Sequence, residues 1–286
     1  MKGIILAGGT GSRLLPMTRV VSKQLLPVYD KPMIYYPLTT LMMAGVRDML
    51  IITTPRDATL FRDLLGDGSQ WGMQFEFAAQ DTPRGIADAY RVGARFVDGD
   101  HSALILGDNL FYGQGLIRTL RDAAAFERGA AIFAHAVAHP ERYGVLDLAP
   151  DGTLRDIVEK PASPPSHLAV TGLYFYDGQA ADIAAGLAPS TRGELEITDL
   201  NRAYLQRGEL QVHQFGRGIA WLDTGTPESL VEAAQFVEIL EKRQGFKIAV
   251  PEEVAWRSGY IDDTQLLRLA EAMGACDYAV YLRELL

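Results

Sequence analysis

Lys2-Gly3-Ile4-Ile5-Leu6-Ala7-Gly8-Gly9-Thr10-Gly11-Ser12-Arg13-Leu14 decides the fold of this chain. Gly3–Ala7 reads as a buried strand of the parallel type. It runs into a glycine-rich turn that ends on an arginine, and Ser22-Lys23-Gln24-Leu25-Leu26-Pro27 brings a lysine shortly after. Without a Cβ, glycine lets backbone N–H groups come close to a phosphate. Arg13 and Lys23 put fixed positive charge beside those amides. Gly8, Gly9 and Gly11 with these two cations point to a polyphosphate nucleotide held at a strand-to-helix turn.

Two better-known phosphate loops do not fit. The P-loop needs Gly-x-x-x-x-Gly-Lys and then Ser or Thr, and no lysine follows a second glycine here. The dinucleotide fingerprint needs Gly-x-Gly-x-x-Gly. Gly9 and Gly11 begin it, but position 14 is Leu. The stretch up to Asp30 is polar and bounded by prolines, so it is not the second strand that would carry a ribose-binding acid. An NAD-dependent oxidoreductase is the competing reading from another class. It rests on Gly9-x-Gly11 alone and lacks a catalytic histidine or tyrosine motif.

The 286 residues are 48% hydrophobic and 22% charged, an ordinary globular composition for one large α/β domain or a domain with an appendage. A formal net charge of −9 argues against nucleic-acid or anionic-membrane partners. An anionic substrate then needs a local basic pocket in an acidic body. The single cysteine, Cys276, forms no internal disulfide, which suits a cytoplasmic protein. No apolar run is long enough for a signal peptide or a membrane span.

Along the chain, Met49–Thr53, Phe75–Ala79, Ala103–Leu106 and Ala131–Ala136 read as further strands. Pro32–Ala44, with Gly45 to cap it, and Ile86–Phe96 read as helices. Strands alternating with helices predict a doubly wound α/β sheet with right-handed crossovers. After Pro140 the pattern changes. Tyr143–Leu148 and Leu154–Glu159, separated by Pro150-Asp151-Gly152, read as a hairpin, and Leu168–Tyr176 as another strand. Thr226-Pro227 opens a helix with Leu230, Ala234, Val237 and Leu240 on one face. Beyond Gly245 come short helices that cap the core or build a subunit contact. Ligands of open α/β sheets sit at the carboxyl ends of strands. The Gly8–Arg13 loop, Gln80 and Asp108 all follow predicted strands.

Asp108 in Leu106-Gly107-Asp108-Asn109 and Asp223 in Trp221-Leu222-Asp223-Thr224-Gly225 are candidate ligands of one Mg²⁺, which prefers oxygen and shares its shell with substrate phosphates. Either sequence alone is also a common turn. The phosphate loop favours the metal reading. Glu159-Lys160-Pro161 ends a strand, where the lysine can face a phosphate and the glutamate can accept sugar hydroxyls. Solvated strand-end charges are the plainer alternative. Arg192 in a glycine turn is a further phosphate ligand, although the acids after it also suit a helix start. The five histidines show no metal-ligand spacing, and no serine or cysteine nucleophile has a base. Tyr35, Tyr36, Phe175 and Tyr176 read as core, with Tyr174 nearer the site.

These residues together resemble the bacterial glucose-1-phosphate thymidylyltransferase family of sugar nucleotidyltransferases. The matching segments include Gly3–Arg13, Ser22–Tyr36, Leu106–Gly113, Pro140–Val145, Val170–Asp177, Arg192–Tyr204, Gly218–Thr226 and Arg243–Glu253, spanning nearly the whole chain. The resemblance implies a mixed α/β, doubly wound, Rossmann-like core of the nucleotide-diphospho-sugar transferase type. A β-rich sugar-binding lobe, about residues 140–220, is inserted in a core of residues 1–243. A helical extension, 244–286, follows, and the assembly is a homotetramer.

The implied reaction joins dTTP and α-D-glucose 1-phosphate into dTDP-glucose and pyrophosphate. The resemblance puts Arg13 and Lys23 on the triphosphate, Asp108 and Asp223 on Mg²⁺, and Lys160 and Arg192 on the sugar phosphate. Gln80 and the backbone at Gly85 read the base. Gly144, Glu159, Val170 and Tyr174 line the glucose site. Retention of these residues argues against a catalytically dead nucleotide sensor. At Asp81–Gly85 the chain departs from the pattern: Arg84 stands where an acidic residue is usual, and Asp88 where an amide is usual. That loop flanks the base, so thymine over uracil stays open, with UTP–glucose-1-phosphate uridylyltransferase as the alternative. Many members bind dTDP-L-rhamnose at a second site, and Tyr112, Gly113, Arg217, Lys247, Glu253 and Arg257 match its positions. A plain subunit interface is the other reading of those residues.

Overall fold

The computed structural model describes residues 1–286. The chain enters through β1 (Lys2–Ala7), whose Ile4 and Ile5 are fully buried, as expected of a strand covered on both faces. Short 3-10 turns lead to a two-residue hairpin, β2 (Pro27–Val28) with β3 (Lys31–Pro32). Helix α1 is shorter than the sequence suggests, Tyr35–Met43 rather than from Pro32. The reason is Lys31, whose buried amine bonds Glu241 at 2.9 Å and holds Lys31–Pro32 in the hairpin. Gly45, at φ 89°, follows the helix as predicted.

β4 (Asp48–Thr53), α2 (Ala58–Leu65) and β5 (Gln74–Ala79) follow. The single helix expected over Ile86–Phe96 is two, α3 (Asp88–Val92) and α4 (Ala94–Val97). They break at Gly93, where an added Cβ would lie 3.0 Å from the Ala89 carbonyl and 3.1 Å from Leu50. The chain then folds β6 (Ser102–Leu106), β7 (Asn109–Gly113), α5 (Leu116–Ala124) and β8 (Ala130–Ala136). The predicted hairpin is β9 (Gly144–Leu148) and β10 (Leu154–Glu159), and β11 (Leu168–Tyr176) is the long strand after it. Helices α6 (Ala180–Ala185) and α7 (Ile197–Gln206) precede β12 (Leu210–Gln214) and β13 (Ile219–Asp223).

β1, β4, β5 and β6 are parallel, in the order β6-β1-β4-β5. β11 joins β6 antiparallel, then pairs β8 and β9, so the doubly wound half and the later strands share one nine-stranded mixed sheet. Five short strands, β2, β3, β7, β12 and β13, escaped the sequence reading, and two of them matter most for the site. β7 and β13 form a separate antiparallel ribbon that sets Asp223 opposite Asn109, and hence next to Asp108.

Helix α8 (Pro227–Gln244) starts where predicted. Thr226 and Ser229 form a capping box, with Pro227 in the first turn. α9 (Pro251–Arg257), α10 (Asp263–Ala272) and α11 (Asp277–Glu284) complete the chain. No helix is long and apolar enough to cross a membrane.

The C-terminal helices are fastened to the core through a buried acid. Glu252 on α9 accepts from the Trp71 indole N–H at 3.1 Å and from the Tyr278 hydroxyl at 2.7 Å. Burial raises its pKa above the usual 4.5. A raised folded pKa means that the stability this group supplies is complete below about 4.5 and is lost as pH rises through the folded value. Glu252→Gln removes that titration while keeping an acceptor for Trp71. Thermal midpoints measured from pH 4.5 upward are expected to fall less steeply for the variant than for the parent. Parallel curves would refute it.

Candidate active site

The parallel strands deliver their carboxyl ends to one side of the sheet, as α/β topology requires. There a cavity of about 330 Å³ opens between the parallel half and the β9–β10 hairpin. Arg13, Asp108, Gly144, Glu159, Lys160, Val170, Tyr174 and Asp223 all line it. Elements more than 200 residues apart in sequence thus bring eight of the anticipated side chains and backbone positions to one ligand-sized space.

The two aspartates are placed by the β7–β13 ribbon. The Asp108 carbonyl accepts from the Thr224 N–H at 3.2 Å and from its hydroxyl at 2.9 Å, which ties the two turns together. The carboxylates differ in partner. Asp108 forms an ion pair with Lys23 and accepts from Asn109 Nδ2 at 3.0 Å. Burial works against its charge, yet Lys23 and the hydrogen bonds from Asn109 and the backbone together outweigh burial, and the pKa falls. Asp223 has weaker company: Tyr143 Oη at 3.3 Å and Arg142 Nη2 at 3.5 Å. Burial raises its pKa, and the negative charge of Asp108 raises it further. Arg13 lies close by. An added Cβ on Gly225 would sit 2.9 Å from Asp223 Oδ1 and 3.2 Å from Arg13 Nη2. Gly225 is thus the gap across which the arginine approaches the carboxylate.

On the opposite wall, pairing of β9 with β10 sets Gly144 across from Glu159. Thr198 Oγ1 donates to Glu159 Oε2 at 2.5 Å, which fixes the carboxylate. Lys160 has φ 43°, a left-handed conformation costly for a residue with a Cβ. Its N–H bonds the Tyr143 carbonyl at 2.9 Å, and its Nζ stands 3.6 Å from Glu159 Oε1. Arg192 does not line the cavity. It is held bidentate by Glu196 at 2.9 and 2.8 Å, also meets Glu194 at 3.0 Å, and stands 3.6 Å from Glu159.

The loop glycines and Gln80 do not line this cavity, but Gly8 and Gln80 meet each other. An added Cβ on Gly8 would lie 3.3 Å from Gln80 Oε1, so the two elements touch. Gly9 and Gly11 have φ 98° and 58°. Leu14 is fully buried, so position 14 packs into the core and offers no backbone to a pyrophosphate. Gly85 has φ 104°, and a side chain there would collide with the Leu195 backbone. The sequence reading missed Asn109, Arg142, Tyr143, Trp221 and Thr198. Asn109 Oδ1 accepts from Gly172 N–H at 3.0 Å and from the Trp221 indole at 2.6 Å, locking the aspartate ribbon to the bulge in β11. Only the position of Asn109 directly after Asp108 hinted at this.

Against known proteins, residues 2–239 match the family model for nucleotidyl transferases. The chain belongs to the nucleotidyl transferase family. The glucose-1-phosphate thymidylyltransferase of Xanthomonas campestris pv. campestris is 58% identical over 284 residues, covering 99% of this chain and 96% of its own. That of Mycobacterium tuberculosis is 55% identical over 286 residues, covering 100% and 99%. A Bacillus anthracis structure described as a glucose-1-phosphate thymidylyltransferase, in complex with sucrose, superposes with a TM-score of 0.76 at 41% identity over 82% of this chain and 94% of its own. A UDP-glucose pyrophosphorylase complexed with UDP-glucose gives 0.73 at 26%, over 83% and 98%.

Nucleotidyl transferases use a divalent metal. The residues present fit one. This transferase contains no cluster of three or more His, Cys, Asp or Glu side chains arranged for a metal. Two carboxylates that repel each other across one cavity suit instead a hard cation that keeps water and substrate oxygens in its shell.

A second cavity of about 310 Å³ lies between α1, α5, β7 and the Phe246–Ser258 segment. Tyr112, Gly113, Lys247, Glu253 and Arg257 line it. Arg217 does not; it is exposed in the turn between β12 and β13.

Proposed function

We infer that this chain is a glucose-1-phosphate thymidylyltransferase: it makes dTDP-glucose and pyrophosphate from dTTP and α-D-glucose 1-phosphate. The observation that carries the reading is the single cavity where Arg13 and two aspartates face Glu159 and Lys160, in a chain 50–58% identical over nearly its whole length to enzymes of that name. A phosphate oxygen of the sugar attacks the α-phosphorus in line, the bond to the β-phosphate bridging oxygen breaks, and pyrophosphate leaves. Each sugar phosphate carries about −1.5 to −2 charges, so bringing it to a triphosphate is strongly repulsive. Catalysis is therefore positioning and charge neutralisation.

In this reading the glycine loop and Lys23 hold the triphosphate, and Arg13 takes charge building on the leaving pyrophosphate. Lys160 orients the sugar phosphate, with Arg192 behind Glu159. Glu159, Gly144, Val170 and Tyr174 receive the glucose, and the Gln80 carboxamide and Gly85 backbone receive the base. Asp108 and Asp223 would hold Mg²⁺, which would supply charge neutralisation for the reacting phosphates. Residues 140–220 act as the sugar lobe and 244–286 as an assembly element. The working enzyme is a cytoplasmic homotetramer feeding dTDP-L-rhamnose-type sugar synthesis. The second cavity, already lined by matching charged groups, takes dTDP-L-rhamnose as feedback inhibitor.

One assay tests these points: pyrophosphate release from dTTP, UTP, dCTP and ATP with glucose 1-phosphate and Mg²⁺, with and without dTDP-L-rhamnose. dTTP is expected to be the best substrate and the effector to suppress turnover. UTP preferred over dTTP would convert the assignment to a uridylyltransferase. Kinetics indifferent to the effector would remove the regulatory role.

A further inference from the structure

Gln80 directly follows β5 at the edge of the sheet and is buried, 7% exposed. Asp88 opens α3 and is 5% exposed. The two meet directly: Gln80 Nε2 donates to Asp88 Oδ2 at 2.7 Å. A glutamine carboxamide on its own has no intrinsic orientation, because its nitrogen and oxygen ends have the same shape. A carboxylate removes the ambiguity, since it accepts and has no hydrogen to give. The amide nitrogen must face Asp88. The carbonyl Oε1 is then turned to the glycine loop, beside Gly8. Nε2 keeps its second hydrogen.

We propose that Asp88 is a specificity-determining positioning residue: by fixing the Gln80 carboxamide it makes the site select a pyrimidine whose N3 carries a hydrogen. The proposal rests on the reading of Gln80 as the residue that receives the base. A 2,4-dioxopyrimidine shows N3–H beside a carbonyl, which complements an amide acceptor beside an amide donor. A 4-aminopyrimidine shows the reverse order, a bare N3 beside an amino group. To pair with it, the carboxamide would have to turn over. Its carbonyl would then face the Asp88 carboxylate, two buried acceptors with no hydrogen between them. The selection therefore ignores the C5 methyl and separates thymine and uracil together from cytosine.

The test measures kcat/KM for dTTP, dUTP and dCTP in the enzyme and in variants at Asp88 and Gln80. Asp88→Asn keeps the shape, but its amide can donate or accept, so Gln80 is free to turn. The dTTP:dCTP ratio of kcat/KM is expected to fall about tenfold, carried by KM, while the dTTP:dUTP ratio stays as it was. A side chain that only supports the fold would shift all three nucleotides alike. Asp88→Ser, whose hydroxyl also donates or accepts, serves the same comparison if Asp88→Asn does not fold. Gln80→Ala separates the two layers of inference. If Gln80→Ala lowers the dTTP:dCTP ratio and neither Asp88 variant does, Gln80 reads the base unaided and the proposal is overturned. If Gln80→Ala leaves the ratio intact, the base is read elsewhere and both fall.

Discussion

Asp223→Asn lowers pyrophosphate release at least about a hundredfold, while the thermal midpoint stays within a few degrees of the parent. Both halves follow from the surroundings of Asp223. Its carboxylate is buried beside a like charge, and the pKa is raised in consequence. Removing that charge relieves repulsion in the unloaded protein, and the interactions it weakens, with Tyr143 and Arg142, are long ones. The cost appears only when a cation and two polyanions must share the cavity. Asp108→Asn is the contrasting case. It silences the enzyme too, but it leaves the Lys23 ammonium without its partner in a site where both side chains are 15% exposed. A stability loss of about 3 kcal/mol is expected there. Pyrophosphate-release rates and melting curves for the two variants side by side decide the matter. Near-normal turnover of Asp223→Asn would sink its assignment as a metal ligand.

How far the site was legible in the sequence depends on the range of the interactions that build it. The β1 strand and its glycine turn are local, and they stand where the residues put them. The apolar runs of β4, β5 and β6 likewise declare buried parallel strands. The β7–β13 ribbon was not legible. Each strand has only five residues, and their register joins positions more than 100 apart, which no periodicity reveals. That ribbon makes Asp108 and Asp223 neighbours, so the pairing could be expected only from the resemblance. The break between α3 and α4 falls at Gly93, a weak helix former whose Cβ position is crowded by Ala89, Leu50 and Ile4; only the glycine was visible in the sequence. Arg192 was read as a phosphate ligand, and folding surrounds it with Glu194, Glu196 and Glu159. Its charge reaches the cavity through Glu159, which tempers its expected role as a direct phosphate ligand.

Arg13 carries the second large effect. It sits at the end of the glycine turn, exposed on the cavity rim, so the fold does not lean on it. Its guanidinium lies across Gly225 from Asp223, and in the proposed reaction it serves the triphosphate. Charge moves onto the leaving pyrophosphate as the α-phosphorus bond breaks, and a planar donor placed there in advance stabilises the transition state more than the ground state. Arg13→Ala is expected to lower kcat by about a thousandfold with little change in melting temperature. Arg13→Lys keeps the charge but loses the two-pronged geometry, so it recovers only part of the rate. Catalysis cannot alter the overall equilibrium, so pyrophosphorolysis of dTDP-glucose must slow along with synthesis. Initial rates in both directions, measured on variants shown to be folded, provide the check. A mutant that loses synthesis only by failing to bind dTTP, with kcat intact at saturation, would show that Arg13 serves binding and not the bond-breaking step.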